Sequence, residues 1–282
     1  MTRRRPPRQK GRALLQSQPR HRLSAATMQT RRLLLSALLA TGVLAALPAA
    51  AQSKDREYVV ASSATYTPFA FENKDKQIVG FDIDIVNAIA QKEKMKLRIV
   101  NTPFTSIFAS LNNGDVDFVI SGVTINDKRK QSFDFSAPYF DARQLIAVPK
   151  SSTVKSLQDL KDKKVAVVSG STGDDVISRV QGKTSANIRR FESTPLIMSE
   201  LSGGGVDAAI GDNGVIAYRA SLDPNLKTVE DPNFPKEHFG IVVRKGDKAL
   251  LDRINAGLAA IRADGTYNTI YKKWFKTDYV AQ

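Results

Sequence analysis

The sequence contains no cysteine and only two histidines, His21 and His238. Without cysteine, no disulfide can support the fold, and neither a thiol nucleophile nor a thiolate metal ligand is available. A Ser–His–Asp triad and a histidine-rich metal site are largely excluded as well, because His21 lies in an N-terminal leader that we expect to be removed. The fold must therefore depend on its hydrophobic core, and we expect neither a metal nor another cofactor.

A phosphate-binding loop and an acidic catalytic pair are also missing. The loop GSTGDD at residues 170–175 lacks the lysine with which a Walker-type loop reaches a phosphate. No two carboxylates stand out in the sequence as a catalytic dyad. The residues therefore favour a binding protein over an enzyme.

Basic residues are concentrated at one end of the chain. The net charge is +14, but residues 1–52 hold ten basic and no acidic side chains, which leaves 32 basic and 28 acidic residues elsewhere. A basic run can bind nucleic acid by neutralising phosphates, but here the excess belongs mostly to the leader. We expect no nucleic-acid partner.

The leader, residues 1–51, has the three parts of a secretory signal peptide. Two arginines, Arg31 and Arg32, precede an apolar run of about 15 residues, which is short of the roughly 20 needed to cross a bilayer. Small residues follow the run, so we expect cleavage after Ala51. No cysteine follows that could carry a lipid anchor, and a soluble mature protein is expected.

The start of translation and the export route have alternatives. Met28 is a better-placed start than Met1, because residues 28–51 alone have the proportions of a signal peptide. The paired arginines allow twin-arginine export, although the strongly apolar run favours the general secretory route.

Short β-branched strands alternate with amphipathic helices in the rest of the chain. This alternation predicts an α/β fold with mostly parallel sheets. The predicted strands are Tyr58–Ser62, Leu97–Val100, Asp117–Ser121, Lys164–Val168, Ile188–Phe191, Val206–Ile210 and Phe239–Arg244. The predicted helices start at Phe81, Asp174 and Tyr267 or span Phe104–Asn112, Ser156–Leu160, Pro195–Leu201 and Ala249–Arg262.

The chain also contains an internal echo. The segments Leu111–Gly122 (LNNGDVDFVISG) and Leu201–Asp212 (LSGGGVDAAIGD) align without gaps and place Asp117 opposite Asp207. The echo predicts two lobes of similar construction that each deliver a strand end to the same place. Any helix–glycine–strand unit would give a similar pattern, and that alternative stays open.

Polar side chains follow the predicted strands, where ligands of open α/β sheets bind. Arg129 offers a planar fork for a carboxylate, and Asp212 offers a negative charge for an ammonium group. One arginine, one aspartate and several hydroxyls are what an α-amino acid zwitterion needs. The candidates are Ser63, Tyr66, Ser121, Gly122, Thr124, Arg129, Ser171, Thr172 and Asp212.

Each candidate also has a purely structural interpretation. Arg129 lies in the charged run NDKRK, and such runs are usually solvated. The role of Asp212 could be limited to capping a helix that starts at Gly214. The role of Ser171–Gly173 could likewise be limited to capping the helix predicted from Asp174. Tyr66 could be an ordinary core aromatic.

Five motifs in order resemble those of a known family. The mature chain is similar over nearly its whole length to the periplasmic substrate-binding proteins of polar amino-acid ABC importers, the bacterial extracellular solute-binding proteins of family 3. The motifs are SATYTPFAF (63–71), GFDIDIVNAIA (80–90), SGVTINDKRKQSFDFSAPYF (121–140), GGVDAAIGDN (204–213) and RADGTYNTIYKKWF (262–275).

The resemblance implies the two-lobe periplasmic-binding-protein fold of type II, in which two lobes close on a ligand. Each lobe would be a mostly parallel sheet flanked by helices. Lobe 1 would comprise residues 53–138 and 240–282, and lobe 2 residues 144–234. The two hinges would be residues 139–143 and 235–239.

The resemblance also implies roles for the two halves of an amino acid's backbone. The arginine of a T-x-x-x-x-R pattern, here Thr124 to Arg129, would clamp the α-carboxylate, and Asp212 would take the α-ammonium. Ser121 and Gly122 would add backbone and hydroxyl contacts.

The remaining implied roles concern the ligand side chain and closure. Tyr66 would stack on the side chain, with Phe104 as the opposite wall, and the loop of Ser171 and Thr172 would close on the carboxylate. Several family members that bind cationic or amide side chains carry an aspartate where this chain has Ser63. Some arginine-binding members share the SATY form, so we expect a polar ligand, arginine-like or glutamine-like.

By this likeness the protein is a monomeric periplasmic receptor with no enzymatic activity. It would deliver a free amino acid to the permease subunits of an inner-membrane ABC importer. The alternative is a periplasmic cyclohexadienyl dehydratase of the same fold, for which Asp212 would have to act as the acid.

Overall fold

The computed structural model describes residues 56–278, and the predicted signal peptide lies outside them. Strands and helices alternate along this part of the chain. The strands, in chain order, are β1 (Glu57–Ser62), β2 (Thr65–Tyr66), β3 (Ala70–Glu72), β4 (Ile78–Val79), β5 (Lys96–Asn101), β6 (Phe118–Val119), β7 (Phe133–Phe135), β8 (Phe140–Ala142), β9 (Gln144–Pro149), β10 (Val165–Val168), β11 (Ile188–Phe191), β12 (Ala208–Asp212), β13 (Leu226–Val229), β14 (Glu237–Phe239) and β15 (Val242–Arg244).

The helices fill most of the crossovers between these strands. They are α1 (Phe81–Glu93), α2 (Phe104–Asn113), α3 (Asp127–Lys130), α4 (Thr172–Gln181), α5 (Thr194–Ser202), α6 (Asn213–Ser221), α7 (Lys248–Ala263) and α8 (Thr266–Phe275). A short 3₁₀ helix spans Gln158–Leu160, within the short helix predicted at Ser156–Leu160.

The first sheet has the strand order β5-β1-β6-β15-β7. Strands β5, β1 and β6 are parallel because helices α1 and α2 lie in the crossovers between them, and β15 runs antiparallel to both of its neighbours. Neighbouring residues Val60 and Ala61 of β1 belong to separate apolar clusters, one on each face of the sheet. Burial on both faces explains why β1 reads as a continuous apolar run.

Helices α7 and α8 cover one face of this sheet together with α1. Gly257 of α7 lets two helices approach closely, since an added Cβ would lie 2.7 Å from Cγ2 of Ile89 on α1. Ile254, Leu258 and Ile261 of α7 are buried in the same cluster, as their helical spacing predicts. The C-terminal helices therefore complete lobe 1.

The second sheet has the order β11-β10-β12-β9-β13 and repeats the plan of the first. Its first three strands are parallel and its fourth is antiparallel to both neighbours. The echoed strands β6 and β12 both stand third in their sheets, each after a helix that precedes it in the chain. The predicted echo is thus a structural repeat, and each sheet has four strands in one direction and one reversed.

Strands β8 and β14 connect the two lobes as an antiparallel ribbon, in which Phe140 pairs with Phe239 and Ala142 with Glu237. The ribbon lies within the two predicted hinge segments, and its hinge role stays a prediction. A small sheet, β2-β3-β4, adds to lobe 1. Its strands of two or three residues are too short to show an alternating pattern, so sequence analysis missed them.

Three predicted strands differ from the observed ones by more than one residue at an end. The predicted strand Phe239–Arg244 is divided, because β14 pairs in the ribbon and β15 pairs in the first sheet. Of Asp117–Ser121 only β6 forms a ladder, although the amides of Asp117 and Ile120 still donate to carbonyls of β1. The predicted strand Val206–Ile210 starts and ends two residues later and so includes Asp212.

Within residues 56–278, no helix is long and apolar enough to cross a membrane.

Candidate functional site

A cavity lies between the carboxyl edges of the two sheets. Loops after β1 and β6 line it from lobe 1, and loops after β10, β11 and β12 line it from lobe 2. All ten residues predicted to bind a ligand line this cavity: Ser63, Tyr66, Phe104, Ser121, Gly122, Thr124, Arg129, Ser171, Thr172 and Asp212.

The short helix α3 directs Arg129 into the cavity. Asn126 caps this helix, and its Oδ1 accepts a hydrogen bond from the Arg129 amide at 2.8 Å. The neighbouring Lys128 and Lys130 are exposed. The charged run NDKRK is therefore solvated at its lysines, whereas its arginine lines the cavity.

The guanidinium of Arg129 packs against aromatic rings and reaches both lobes. Its Cζ lies 5.7 Å from the ring centre of Phe104 and 5.3 Å from that of Phe108. Nη1 donates to the Thr124 carbonyl at 2.9 Å, and Nη2 donates to the Gly170 carbonyl of lobe 2 at 3.2 Å. Burial lowers the pKa of Arg129, although nearby carboxylates partly oppose this shift. Arginine stays charged nonetheless, because its usual pKa is far above neutral pH.

Asp212 stands at the N-cap position of α6, but its carboxylate does not cap the helix. Oδ1 accepts a hydrogen bond from Nε2 of Gln144 at 2.7 Å, and Oδ2 accepts one from the Tyr66 hydroxyl of lobe 1. Burial first, and then the carboxylate of Glu237, raise the pKa of Asp212 well above its usual value. A cation bound beside Asp212 would oppose that shift, because it favours the ionised form.

Tyr66 spans the cleft as a hydrogen-bond donor. Burial and the Asp212 carboxylate raise the pKa of its phenol, which therefore stays protonated. The ring is half-buried, and its centre lies 5.6 Å from that of the core residue Phe69. Its predicted stacking on a ligand stays a prediction.

The loops after β1 and β6 are joined by hydrogen bonds. The Ser121 hydroxyl accepts the amide hydrogen of Ser63 at 3.0 Å. The Gly122 amide donates to Oδ2 of Asp82 at 2.9 Å and to the Tyr139 hydroxyl at 3.2 Å, so this N–H already has buried partners. Gly122 has a φ of +56°, and an added Cβ would lie 2.5 Å from Cε1 of Tyr66. Only glycine fits this close approach of the loop to the ring.

Ser171 has two functions in the structure. Its hydroxyl caps α4 by accepting the amide hydrogen of Asp174 at 3.2 Å, as the structural interpretation predicted, and it also lines the cavity. A cap and a ligand contact are compatible, because a helix N-terminus presents free N–H groups to the same space.

Sequence analysis missed two buried polar residues beneath the cavity. Glu237 accepts the hydroxyl hydrogens of Thr124 at 2.7 Å and Thr172 at 2.9 Å, one from each lobe. Gln144 donates to Thr172 at 3.0 Å and to Asp212 at 2.7 Å. Each residue is the first of its strand, Gln144 in β9 and Glu237 in β14, so the rule for carboxyl ends of strands does not mark them.

Sequence analysis also missed residues that follow β11. Glu192, Ser193 and Thr194 line the cavity from lobe 2, and Thr65 lines it from lobe 1. The strand-end rule that found the other candidates also applies to β11, whose bounds were predicted correctly as Ile188–Phe191. That rule would have found Glu192.

The cavity therefore combines one guanidinium, acidic side chains and several hydroxyls between two lobes. Within the described part of the chain, no group of three or more His, Cys, Asp or Glu side chains could hold a metal ion. The arrangement suits a small zwitterion that carries both a carboxylate and an ammonium group.

Comparisons with known proteins agree with this geometry. The sequence profile of the bacterial extracellular solute-binding proteins, family 3, matches residues 58–277. A probable histidine-binding protein of Neisseria gonorrhoeae is 44% identical over 254 residues, covering 89% of this chain and 94% of the relative. The ABC transporter arginine-binding protein 1 of Escherichia coli K12 is 33% identical over 251 residues, covering 87% of this chain and 99% of the relative.

A solved structure has the same fold. The crystal structure of the arginine-, lysine-, histidine-binding protein ArtJ from Geobacillus stearothermophilus matches with a TM-score of 0.77 at 38% identity. The match covers 79% of this chain and 97% of the other.

Proposed function

The chain belongs to the bacterial extracellular solute-binding proteins of family 3, and we propose that its interlobe cavity binds a free polar L-amino acid. One observation carries this proposal. Arg129 from lobe 1 and Asp212 from lobe 2 line the same cavity, together with several hydroxyl groups. These are the charges that an α-carboxylate and an α-ammonium require.

The ten predicted residues divide into two groups in this proposal. Arg129 clamps the carboxylate, beside the loop of Ser121, Gly122 and Thr124 and the loop of Ser171 and Thr172, and Asp212 takes the ammonium. The other three residues contact the side chain or shape the cavity: Ser63, Tyr66 and Phe104.

Binding would close the two lobes about the ribbon of β8 and β14, within the predicted hinges 139–143 and 235–239. The closed receptor, a monomer in the periplasm, would then deliver its ligand to the permease subunits of an ABC importer. The family's description as extracellular and the names of its transporter relatives support this placement.

We propose that the protein binds without catalysis. The relatives reported above are named as binding proteins. Incubation with prephenate or arogenate tests the dehydratase alternative, because an aromatic product would show enzymatic activity.

Isothermal titration of the purified protein against the twenty amino acids tests the proposal. We expect heat and a thermal shift with a few polar amino acids. Any bound ligand must first be removed, since a retained ligand would mask the signal. The absence of both heat and thermal shift with all twenty would disprove the proposed function.

A further inference from the structure

Glu192 lines the cavity from lobe 2, two strands away from Asp212 in the second sheet. It directly follows β11, and it lines the cavity together with Ser193 and Thr194 at the start of α5. Helix α5 contacts β2 of lobe 1, which carries Thr65 and Tyr66. The helix that follows Glu192 therefore lies against β2 of lobe 1.

The carboxylate of Glu192 has no hydrogen-bond or ion-pair partner among residues 56–278. The other acids at the cavity are all engaged. Asp212 accepts from Tyr66 and Gln144, and Glu237 accepts from two threonines and from Gln144. A charge that lines a cavity and lacks a partner within the fold is available to a ligand.

The strand order sets the approximate distance between Glu192 and Asp212. Glu192 follows β11 and Asp212 ends β12, and β10 lies between them. Two strand spacings amount to about 10 Å. An amino acid whose ammonium group lies at Asp212 brings a second cation close to Glu192 only if its side chain is long, with three or four methylene groups.

From these observations we propose that Glu192 is the counter-ion of the ligand side chain, so that the cavity selects a cationic amino acid of the length of arginine or lysine. This inference rests on the proposed amino-acid binding and names the ligand class of the same site. The hydroxyls of Ser63 and Thr65, from the opposite lobe, supply neutral acceptors for the remaining N–H groups of a guanidinium.

The expected preference is moderate. A hydrogen bond between charged groups strengthens binding by about 10- to 100-fold, but Glu192 is exposed, so water and salt screen it. We therefore expect the lower end, about tenfold, between ligands that differ only in side-chain charge.

Arginine and citrulline make the test, because citrulline has nearly the same shape and a neutral side chain. Titrations would use the wild type, Glu192→Gln and the matched control Glu230→Gln, whose exposed glutamate lies on lobe 2 outside the cavity. We expect the wild type and the control to bind arginine about tenfold more tightly than citrulline. In Glu192→Gln that preference should vanish while citrulline binding persists.

Two results would overturn the inference and leave the proposed function intact. One is a wild type that binds neutral amino acids as well as or better than cationic ones. The other is a Glu192→Gln variant that keeps the arginine preference. If the wild type binds no amino acid at all, the proposed function and the inference both fail. The wild-type comparison needs no variant, so poor folding of Glu192→Gln cannot conceal the answer.

Discussion

At the scale of single residues, the structure gives different roles to side chains that local sequence cannot tell apart. Arg129 and Lys128 are neighbours in one charged run, yet only Arg129 lines the cavity and packs on aromatic rings. Asp212 occupies a helix N-cap, yet its carboxylate bonds across the cleft to Tyr66. In both cases tertiary partners decide the role.

Replacing Arg129 by alanine should abolish binding of every amino acid. The change removes the only guanidinium that lines the cavity in the described chain, and losing one partner of a buried charge pair costs about 2–5 kcal/mol. Titration calorimetry with the best wild-type ligand measures the loss. Lys130→Ala, on the same helix but exposed, is the control and should bind normally. Normal binding by Arg129→Ala would show that the carboxylate lies elsewhere.

Affinity should fall as the pH is lowered from about 8 to 5.5. Burial and Glu237 raise the pKa of Asp212 in the structure, and a ligand ammonium would lower it, so binding releases a proton at low pH. Release of one proton per bound ligand can lower the affinity by at most about tenfold for each pH unit. Titrations in two buffers of different ionisation enthalpy would detect the proton. An affinity independent of pH, with no proton released, would contradict this role of Asp212.

At the scale of elements, the echoed segments perform the same task in both lobes. Asp117 precedes β6, and its Oδ2 accepts the Val59 amide at the start of β1 at 2.8 Å. Asp207 precedes β12, and its Oδ2 accepts the Lys164 amide next to β10, also at 2.8 Å. The repeated Val-Asp dipeptide thus ties the third strand of each sheet to the second.

Removing these two carboxylates should destabilise the protein to different extents. Asp207 is exposed and its side chain makes this one bond, so Asp207→Ala should lower the free energy of unfolding by about 1 kcal/mol. Asp117 is buried and also pairs with Arg56 and Arg244, so Asp117→Ala should cost about 2–3 kcal/mol. Urea unfolding measures both. Equal losses would mean that the ion pairs of Asp117 contribute nothing.

At the scale of the whole molecule, the two lobes meet through contacts from many loops. Besides the bonds of Arg129 and Tyr66, Lys128 of lobe 1 lies 3.6 Å from Asp175 of lobe 2. Gly214 of lobe 2 is so close to the Phe69 ring that an added Cβ would lie 3.0 Å from it. The predicted two-lobe fold of type II is confirmed, since it is shared with the ArtJ structure, whereas the exact lobe boundaries stay predictions.

The stability of the whole fold should decline between about pH 5 and pH 8 because of one buried acid. Burial raises the pKa of Asp82 from 3.8 to about 7, although hydrogen bonds from Tyr139 and the Gly122 amide oppose the shift. An acid with a raised pKa stabilises the folded state below its unfolded pKa, and this contribution is lost as the pH rises through 7. The change should be about 2 kcal/mol.

Urea unfolding of the wild type and Asp82→Asn at pH 5 and pH 8 isolates this effect from other groups. The neutral asparagine should remove about 2 kcal/mol of the difference between the two pH values. If both proteins show the same pH dependence, Asp82 does not titrate in this range.

The amino-acid sequence was enough to predict the fold class and half of the residues that line the cavity. Periodic apolar positions located the six parallel strands, three in each sheet, and most helices, because each period is set by local backbone geometry. They did not locate the strands β7, β9 and β13 of these sheets. The strand-end rule and the resemblance placed all ten candidates, because parallel strands bring their carboxyl ends to one edge of a sheet.

Which side chains come into contact across the cleft depends on the folded arrangement of both lobes. Gln144 and Glu237 lie under the cavity through contacts between residues 28 to 113 positions apart, which no local pattern records. The same holds for the link from Tyr66 to Asp212, 146 positions apart, and for the unpartnered Glu192 opposite β2. Hydrogen bonding and burial depend on distances in space, and these exist only once both lobes have folded.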